Sequence, residues 1–263
     1  MLDLPVFICP VRDCRLPLTY GEKTILCVKG HSFDVSRSGY INLLQPQDRR
    51  SRQPGDTAEA IQGRRQLHDS GHTQIFLQEI TQLCSFTSTD TVLDIGCGEG
   101  FYLGNISRNA GCSGYGVDIS TASIDLAAKR YPHCRWIVAN ADRLIPLTEQ
   151  SCTVITSITA RMNPEEFHRV IRPDGRLLIA IPSPEDLIEL RGTGRDRTER
   201  TIHSFQHLFK PVQQKRIITR AVLTPEMVQG LAASIYRPQS TSQTEPTQVT
   251  FGLDLLLFHP IKP

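Results

Sequence analysis

From Thr91 onward the chain alternates short apolar runs with longer, more polar stretches. The runs Thr91 to Cys97, Gly114 to Ile119, Arg135 to Ala139, Thr153 to Ile158 and Arg176 to Ile181 are each bounded by turn formers, as strands buried on both faces are. The intervening stretches can form helices, so the pattern predicts βαβ units and a mostly parallel sheet. Two further β-rich segments, Arg216 to Leu223 and Val249 to Phe258, flank a helical stretch from Thr224 to Ser234. They predict an antiparallel pair closing one edge of the sheet.

Upstream the period changes. Helical periodicity runs from Thr57 to about Ser70, Gly71 interrupts it, and Ile75, Leu77, Ile80 and Leu83 restore an apolar stripe until Cys84. Residues 6 to 44 instead show short strand-like runs, Val6-Phe7-Ile8, Thr24-Ile25-Leu26 and Tyr40 to Leu44, among turn formers. So little apolar bulk needs a staple. Gln45 to Asp56 is polar and broken by Pro46, Pro54 and Gly55, which reads as a linker or binding loop, and residues 235 to 247 read as a second polar loop. The expected division is a module over 1–44, a linker with helices over 45–90, and a large α/β domain over 91–263.

Composition narrows the class. With 39% hydrophobic and 21% charged residues the chain is that of a folded protein rather than a disordered one. There is no apolar run of about 18 residues, and Met1 to Pro5 lacks the basic-then-apolar order of a secretory signal. A cytoplasmic protein with no membrane contact is expected. The net charge of +2 does not by itself announce nucleic acid. Its distribution is uneven: eight basic against two acidic residues lie between Arg191 and Arg220, and Arg49-Arg50-Ser51-Arg52 forms a second cluster. Each fits a solvated surface or a phosphate-binding one.

The first apolar run ends in Asp94-Ile95-Gly96-Cys97-Gly98-Glu99-Gly100. Three residues without Cβ where a strand turns into a helix let the backbone approach a ligand closely. A dinucleotide loop has the spacing G-x-G-x-x-G; here it is G-x-G-x-G behind an acid. That acid suits the ammonium of S-adenosylmethionine, and the motif resembles the first motif of class I methyltransferases. Asp118, at the end of the next run, is placed to accept both ribose hydroxyls. The third run leads to Asn140-Ala141-Asp142, where that superfamily recognises the adenine amino group, with Asp142 the candidate contact.

Cysteine placement carries the second chemistry. Five of the eight cysteines are scattered, but Cys9-x4-Cys14 is followed after twelve residues by Cys27-x3-His31. Three thiolates and an imidazole favour tetrahedral zinc, and four protein ligands leave no position for an activated water, so the metal is structural. Buried reduced cysteines beside a surface histidine are the alternative.

A cysteine-rich module ahead of a class I domain, joined through Ser38 to Leu44 and Arg50 to Thr57, resembles the RlmA/TlrB family, which methylates nitrogen-1 of a guanine in 23S ribosomal RNA. The likeness continues through Ala58-Glu59, Gly63-Arg64-Arg65, Gly71-His72, Glu165-Glu166-Phe167, Pro173-Asp174-Gly175 and Leu187 to Leu190. It implies a seven-stranded Rossmann-like sheet, S-adenosylmethionine and zinc as cofactors, a zinc module that helps recognise RNA, and a homodimer whose cleft holds an RNA hairpin. On the same footing His72 joins the cofactor residues, Arg49, Arg50 and Arg52 meet RNA phosphates, and Arg64 and Arg65 line the donor pocket or the RNA cleft.

Three places depart from the family: the first zinc pair is C-x4-C rather than C-x2-C, Thr73 replaces an aromatic, and Thr159 to Asn163 lacks a Tyr-Ala-Pro-Cys-like sequence. They leave room for two rivals, a small-molecule methyltransferase and a zinc-containing RNA-binding protein that has lost transfer. No catalytic base is singled out; Asp142, Glu185 and Glu189 are the candidates.

Overall fold

In the computed structural model, which describes residues 6–12, 14–21, 23–48, 55–233 and 245–262, the N-terminal segment forms a sheet of its own. It consists of β1 (Leu18–Tyr20), β2 (Thr24–Cys27) and β3 (Ser32–Asp34), antiparallel in that order. Only β2 follows the apolar pattern of the sequence, because three-residue strands are too short to show alternation. Val6-Phe7-Ile8 is not a strand: Phe7 bridges to Leu147 and Ile8 to Pro17, each in isolation. The Arg49, Arg50 and Arg52 cluster lies outside the described residues.

The chain then crosses into the main sheet. β4 (Ile41–Asn42) runs parallel to Ile137 and Val138, so the module's last strand-like run is an edge of the larger sheet. After a 3-10 turn at Pro46–Asp48 come α1 (Ala58–Asp69) and α2 (Gln74–Cys84). Next are β5 (Thr91–Ile95), α3 (Phe101–Ala110), β6 (Ser113–Asp118), α4 (Thr121–Arg130), β7 (Arg135–Val138), β8 (Cys152–Ile158), α5 (Pro164–Val170) and β9 (Ile171–Pro182). Short α6 (Ile188–Arg191) and α7 (Thr198–Phe205) precede β10 (Phe209–Leu223), α8 (Pro225–Ala232) and β11 (Thr247–Pro260). The order is β10-β11-β9-β8-β5-β6-β7-β4, parallel from β9 to β4, with β11 antiparallel to both neighbours. Seven strands make the expected sheet and β4 adds an eighth.

Every residue of β5 is buried because helices and module cover both faces. On one face Val92, Val154 and Leu178 pack with Phe76 and Ile80 of α2, Leu103 of α3, Ile124 of α4 and Val228 of α8. On the other, Leu93, Ile155 and Ile179 pack with Phe167 of α5 and Phe205 of α7, and with Phe7, Leu18 and Ile25 of the N-terminal module. The module is therefore seated on the sheet, with the Phe7 ring edge-on to Tyr115 at 6.2 Å.

Helix α1 is held where α8 can touch it. A Cβ on Gly63 would lie 2.3 Å from the Gly230 carbonyl carbon and 2.4 Å from its oxygen. Backbone cannot yield as a side-chain tip can, so Gly63→Ala is expected to push α1 away from α8 and cost about 1–3 kcal/mol. Chemical denaturation checks this; an unchanged midpoint overturns it.

Part of the basic run between Arg191 and Arg220 is taken up by ion pairing. Arg216 binds the fully buried Asp254 at 2.7 Å and Asp196 at 2.7 Å, Arg191 meets Asp186 at 2.9 Å, and Lys215 pairs with Glu79.

Candidate donor cleft and metal centre

The C-terminal ends of β5 to β8 open onto a cleft of about 640 Å³, the position at which open α/β sheets bind ligands. Asp94, Gly96, Gly98, Asp118, Asn140, Ala141 and Asp142 all contribute to its wall. Gly96, Gly98 and Gly100 have φ of +67°, +55° and +83°, so the glycines serve backbone shape as well as close approach. Gly100 caps α3 rather than facing the cleft, and a Cβ there would meet the Trp136 ring at 2.5 Å.

The acids are arranged by burial and by backbone donors. Asp118 accepts hydrogen bonds from Gly98 N at 2.9 Å and Ser120 N at 2.8 Å. Burial nevertheless pushes its carboxyl up. Asp94 accepts one from Thr156 Oγ1 at 2.7 Å; burial, helped by Asp118 and opposed by Thr156, raises it to about 7. Asp142 faces Arg161 at 3.2 Å, and its carbonyl accepts from Asn163 Nδ2 at 2.8 Å. The unusual loop at 159–163 therefore closes onto the end of the third run.

At the other end of the cleft the structure departs from expectation. His72 is not in the wall; its backbone N donates to Leu67 O at 3.2 Å. Helix α1 ends at Asp69 and Gly71 turns the chain at φ +78°, so His72 lies past the helix face that borders the cleft. Arg64 and His68, one turn apart on that face, do line it. Arg65 points elsewhere and pairs with Asp69 at 3.5 Å. Arg64 pairs with Asp56, which with Asp48 brings the linker to the cleft. The i, i+4 spacing of Arg64 and His68 was a signal in the sequence, but only contact with α8 says which face turns inward.

Glu99 is a second residue the motif carried without comment. Its side chain is 6% exposed, Oε1 has no partner among the described residues, and Oε2 lies 3.5 Å from Arg130. Burial, against the pull of Arg130, raises it to about 7. Glu185 and Glu189 are absent from the cleft wall. Glu189 accepts from Thr250 N and Oγ1 at 2.8 and 2.6 Å, and Glu185 from Ser183 Oγ at 2.8 Å.

In the N-terminal module the ligand atoms of Cys9, Cys14, Cys27 and His31 lie within 4.8 Å of one another. His31 Nδ1 is 3.3 Å from both Cys9 and Cys27 Sγ, and Cys14 and Cys27 Sγ are 4.0 Å apart. Zinc–sulfur bonds of about 2.3 Å make a tetrahedron with edges of roughly 3.8 Å, so the donor set fits the ion. The longer first knuckle is accommodated by left-handed backbone at Arg12 and Arg15, φ 41° and 45°.

Comparison with known proteins bears on both centres. Residues 92–175 match the family described as a methyltransferase domain, and residues 7–52 match the zinc-ribbon family described as RlmA, N-terminal. A Bacillus subtilis (strain 168) protein provisionally named 23S rRNA (guanine-N1)-methyltransferase YxjB is 32% identical over 199 residues, 72% of this chain and 69% of that one. The chain belongs to the RlmA/TlrB family. The 23S rRNA (guanine(748)-N(1))-methyltransferase of Streptomyces fradiae, 32% identical, aligns over 69% of this chain and 65% of its own length, just under two thirds. A chain from the solved complex of the Haloferax volcanii Trm112 methyltransferase activator with a protein provisionally named a methyltransferase superposes with a TM-score of 0.55 at 17% identity, covering 81% of this chain and 100% of that one. The RlmA/TlrB cofactors, S-adenosylmethionine and zinc, are those of this chain, and each has a fitting set of residues.

The acids set a pH dependence for the donor. Asp94 is faced by Asp118 and Thr156, and Glu99 by Arg130, Asp69, Arg65 and Arg64. Both are held protonated to about 7, whereas an unfolded carboxyl ionises at about 4. The native state therefore holds extra protons between those values, and their contribution to stability is lost as pH rises through that window. A cationic donor prefers the ionised acids. Its affinity is expected to rise from pH 5.5 to 7.5 and then level, as measured by titration calorimetry; a flat profile contradicts it.

Proposed function

We propose that the chain transfers a methyl group from S-adenosylmethionine to nitrogen-1 of a guanine in a hairpin of 23S ribosomal RNA. The observation that carries this reading is the seating of a zinc-ribbon module on the same sheet whose strand ends form the donor cleft. The relatives named for that reaction support the acceptor.

Asp118 binds the ribose, Asn140, Ala141 and Asp142 border the adenine, and Gly96 and Gly98 let the backbone close on the donor. Asp94 and the unpartnered Glu99 oxygen face its ammonium. The donor supplies a methyl on a sulfonium, already a good leaving group, so the protein's task is alignment and exclusion of water. The guanine is extruded to reach it. Of Asp142, Glu185 and Glu189, the candidate bases, only Asp142 borders the cleft. The module over 1–44 and Arg49, Arg50 and Arg52 hold RNA, and the working form is a cytoplasmic homodimer. Among the described residues no helix is long and apolar enough to cross a membrane.

Incubation with isotopically labelled donor and undermodified 23S RNA, followed by nucleotide mapping, tests the reading. Label at one guanine nitrogen-1 is expected, and RNA affinity that falls steeply with salt. Label on a small molecule, or RNA binding without label, points to a rival.

A further inference from the structure

Thr73 is 7% exposed and its Oγ1 lies 2.7 Å from His68 Nδ1. The other side of the imidazole is fixed as well. It stacks on Phe101 at 4.1 Å with 7° between planes, and Tyr102 meets it edge-on at 5.7 Å. Ring position and ring flip are both determined, and the remaining polar atom, Nε2, has no hydrogen-bond partner among the described residues while the residue borders the cleft.

On the reading above, we infer that His68, oriented by Thr73, donates an Nε2–H hydrogen bond to the methionyl carboxylate of the donor. With the adenosine half held at the Asp118 end, as proposed above, the amino-acid half extends toward the start of α3, where Phe101 and His68 meet. A carboxylate only accepts hydrogen bonds. Of the N–H-bearing side chains in the cleft wall, Asn140 belongs to the adenosine end, Arg161 is engaged by Asp142 and Arg64 by Asp56, leaving His68 on this side. Acceptance by the carboxylate selects the Nε2–H tautomer, and Thr73 Oγ–H then donates to Nδ1. Burial, with Arg64 and Arg130 nearby, depresses the imidazole to about 3, so the ring stays neutral. It contributes direction rather than charge.

The test uses the full chain, calorimetry, and two probes: S-adenosylhomocysteine, and 5′-methylthioadenosine, which lacks the amino-acid end. His68→Leu is expected to weaken S-adenosylhomocysteine binding about tenfold and Thr73→Val about threefold, with Thr73→Ser restoring it. Methylthioadenosine affinity stays the same in all three. Unchanged S-adenosylhomocysteine binding in His68→Leu overturns the inference, as does equal weakening of both probes, the mark of a merely structural role. Nitrogen-15 imidazole spectra of the unmodified protein decide independently of how the variants fold: the Nε2–H tautomer on adding S-adenosylhomocysteine is expected, and Nδ1–H overturns it. Failure to label RNA while these results hold counts against the RNA reading alone.

Discussion

Cys27→Ser is expected to release the zinc and to unfold the N-terminal module, lowering the thermal midpoint by on the order of 10 °C. The module has little else to hold it. Its buried apolar side chains are few, with Phe7, Leu18 and Ile25 foremost, while Tyr20, Leu26 and Val28 are exposed. No disulfide substitutes for the metal, since all eight cysteines are free. Structural zinc in small fingers contributes roughly 10–16 kcal/mol of apparent binding energy, which is folding energy where no site exists in the unfolded chain. Here the sheet bears part of the load, because Phe7 and Ile25 belong to the cluster that includes Tyr115 and Leu147. The expected loss is therefore several kcal/mol, and at this chain length each corresponds to about 2–4 °C. Zinc content by atomic absorption and the midpoint by calorimetry are the readouts. Full zinc occupancy with an unmoved midpoint contradicts the assigned ligand set.

The residues that line the cleft at the strand ends were readable because their positions are set locally. Asp94, Gly96, Gly98 and Asp118 each sit at or just past the end of a strand, and a strand end is marked by its own neighbours in sequence. The metal cluster was readable for the same reason: each knuckle is a tight turn, and only their meeting is long-range. What sequence did not disclose depends on distant contacts. His68 rather than His72 borders the cleft because Gly63 packs on Gly230, far along the chain. The roles of Glu189 and Glu185 were hidden in the pairing of β9 with β11, which brings Thr250 to the one and sets Gly252 against Ser183 near the other. A two-residue strand such as β4 carries no period at all, so its membership in the large sheet was visible only once Ile137 and Val138 had been placed. The altered loop at 159–163 was legible as a departure, but its closure onto Asp142 through Arg161 and Asn163 was not.

Gly96→Ala and Gly98→Ala are expected to fail in different ways, although the two residues are neighbours in one motif and both have positive φ. Each substitution incurs the cost of a left-handed backbone with a Cβ, about 1–2 kcal/mol. At Gly96 a Cβ would also stand 2.4 Å from Ala160 Cβ. The loop after β8 must then move, adding about 1–3 kcal/mol of overpacking and shifting Thr159 to Arg161 in the cleft wall. Gly96→Ala should therefore lose stability and donor affinity together. At Gly98 a Cβ meets nothing within 4 Å, yet the residue lines the cleft and its N–H is spent on Asp118. In the proposed binding mode the donor lies against this backbone. Gly98→Ala should stay folded, with a loss near the backbone cost alone, while S-adenosylhomocysteine binding falls at least tenfold. Paired measurement of denaturation midpoint and donor affinity separates the two. Wild-type donor affinity in Gly98→Ala would place the donor elsewhere, because a ligand that does not approach this backbone has no use for a residue without a side chain at that point.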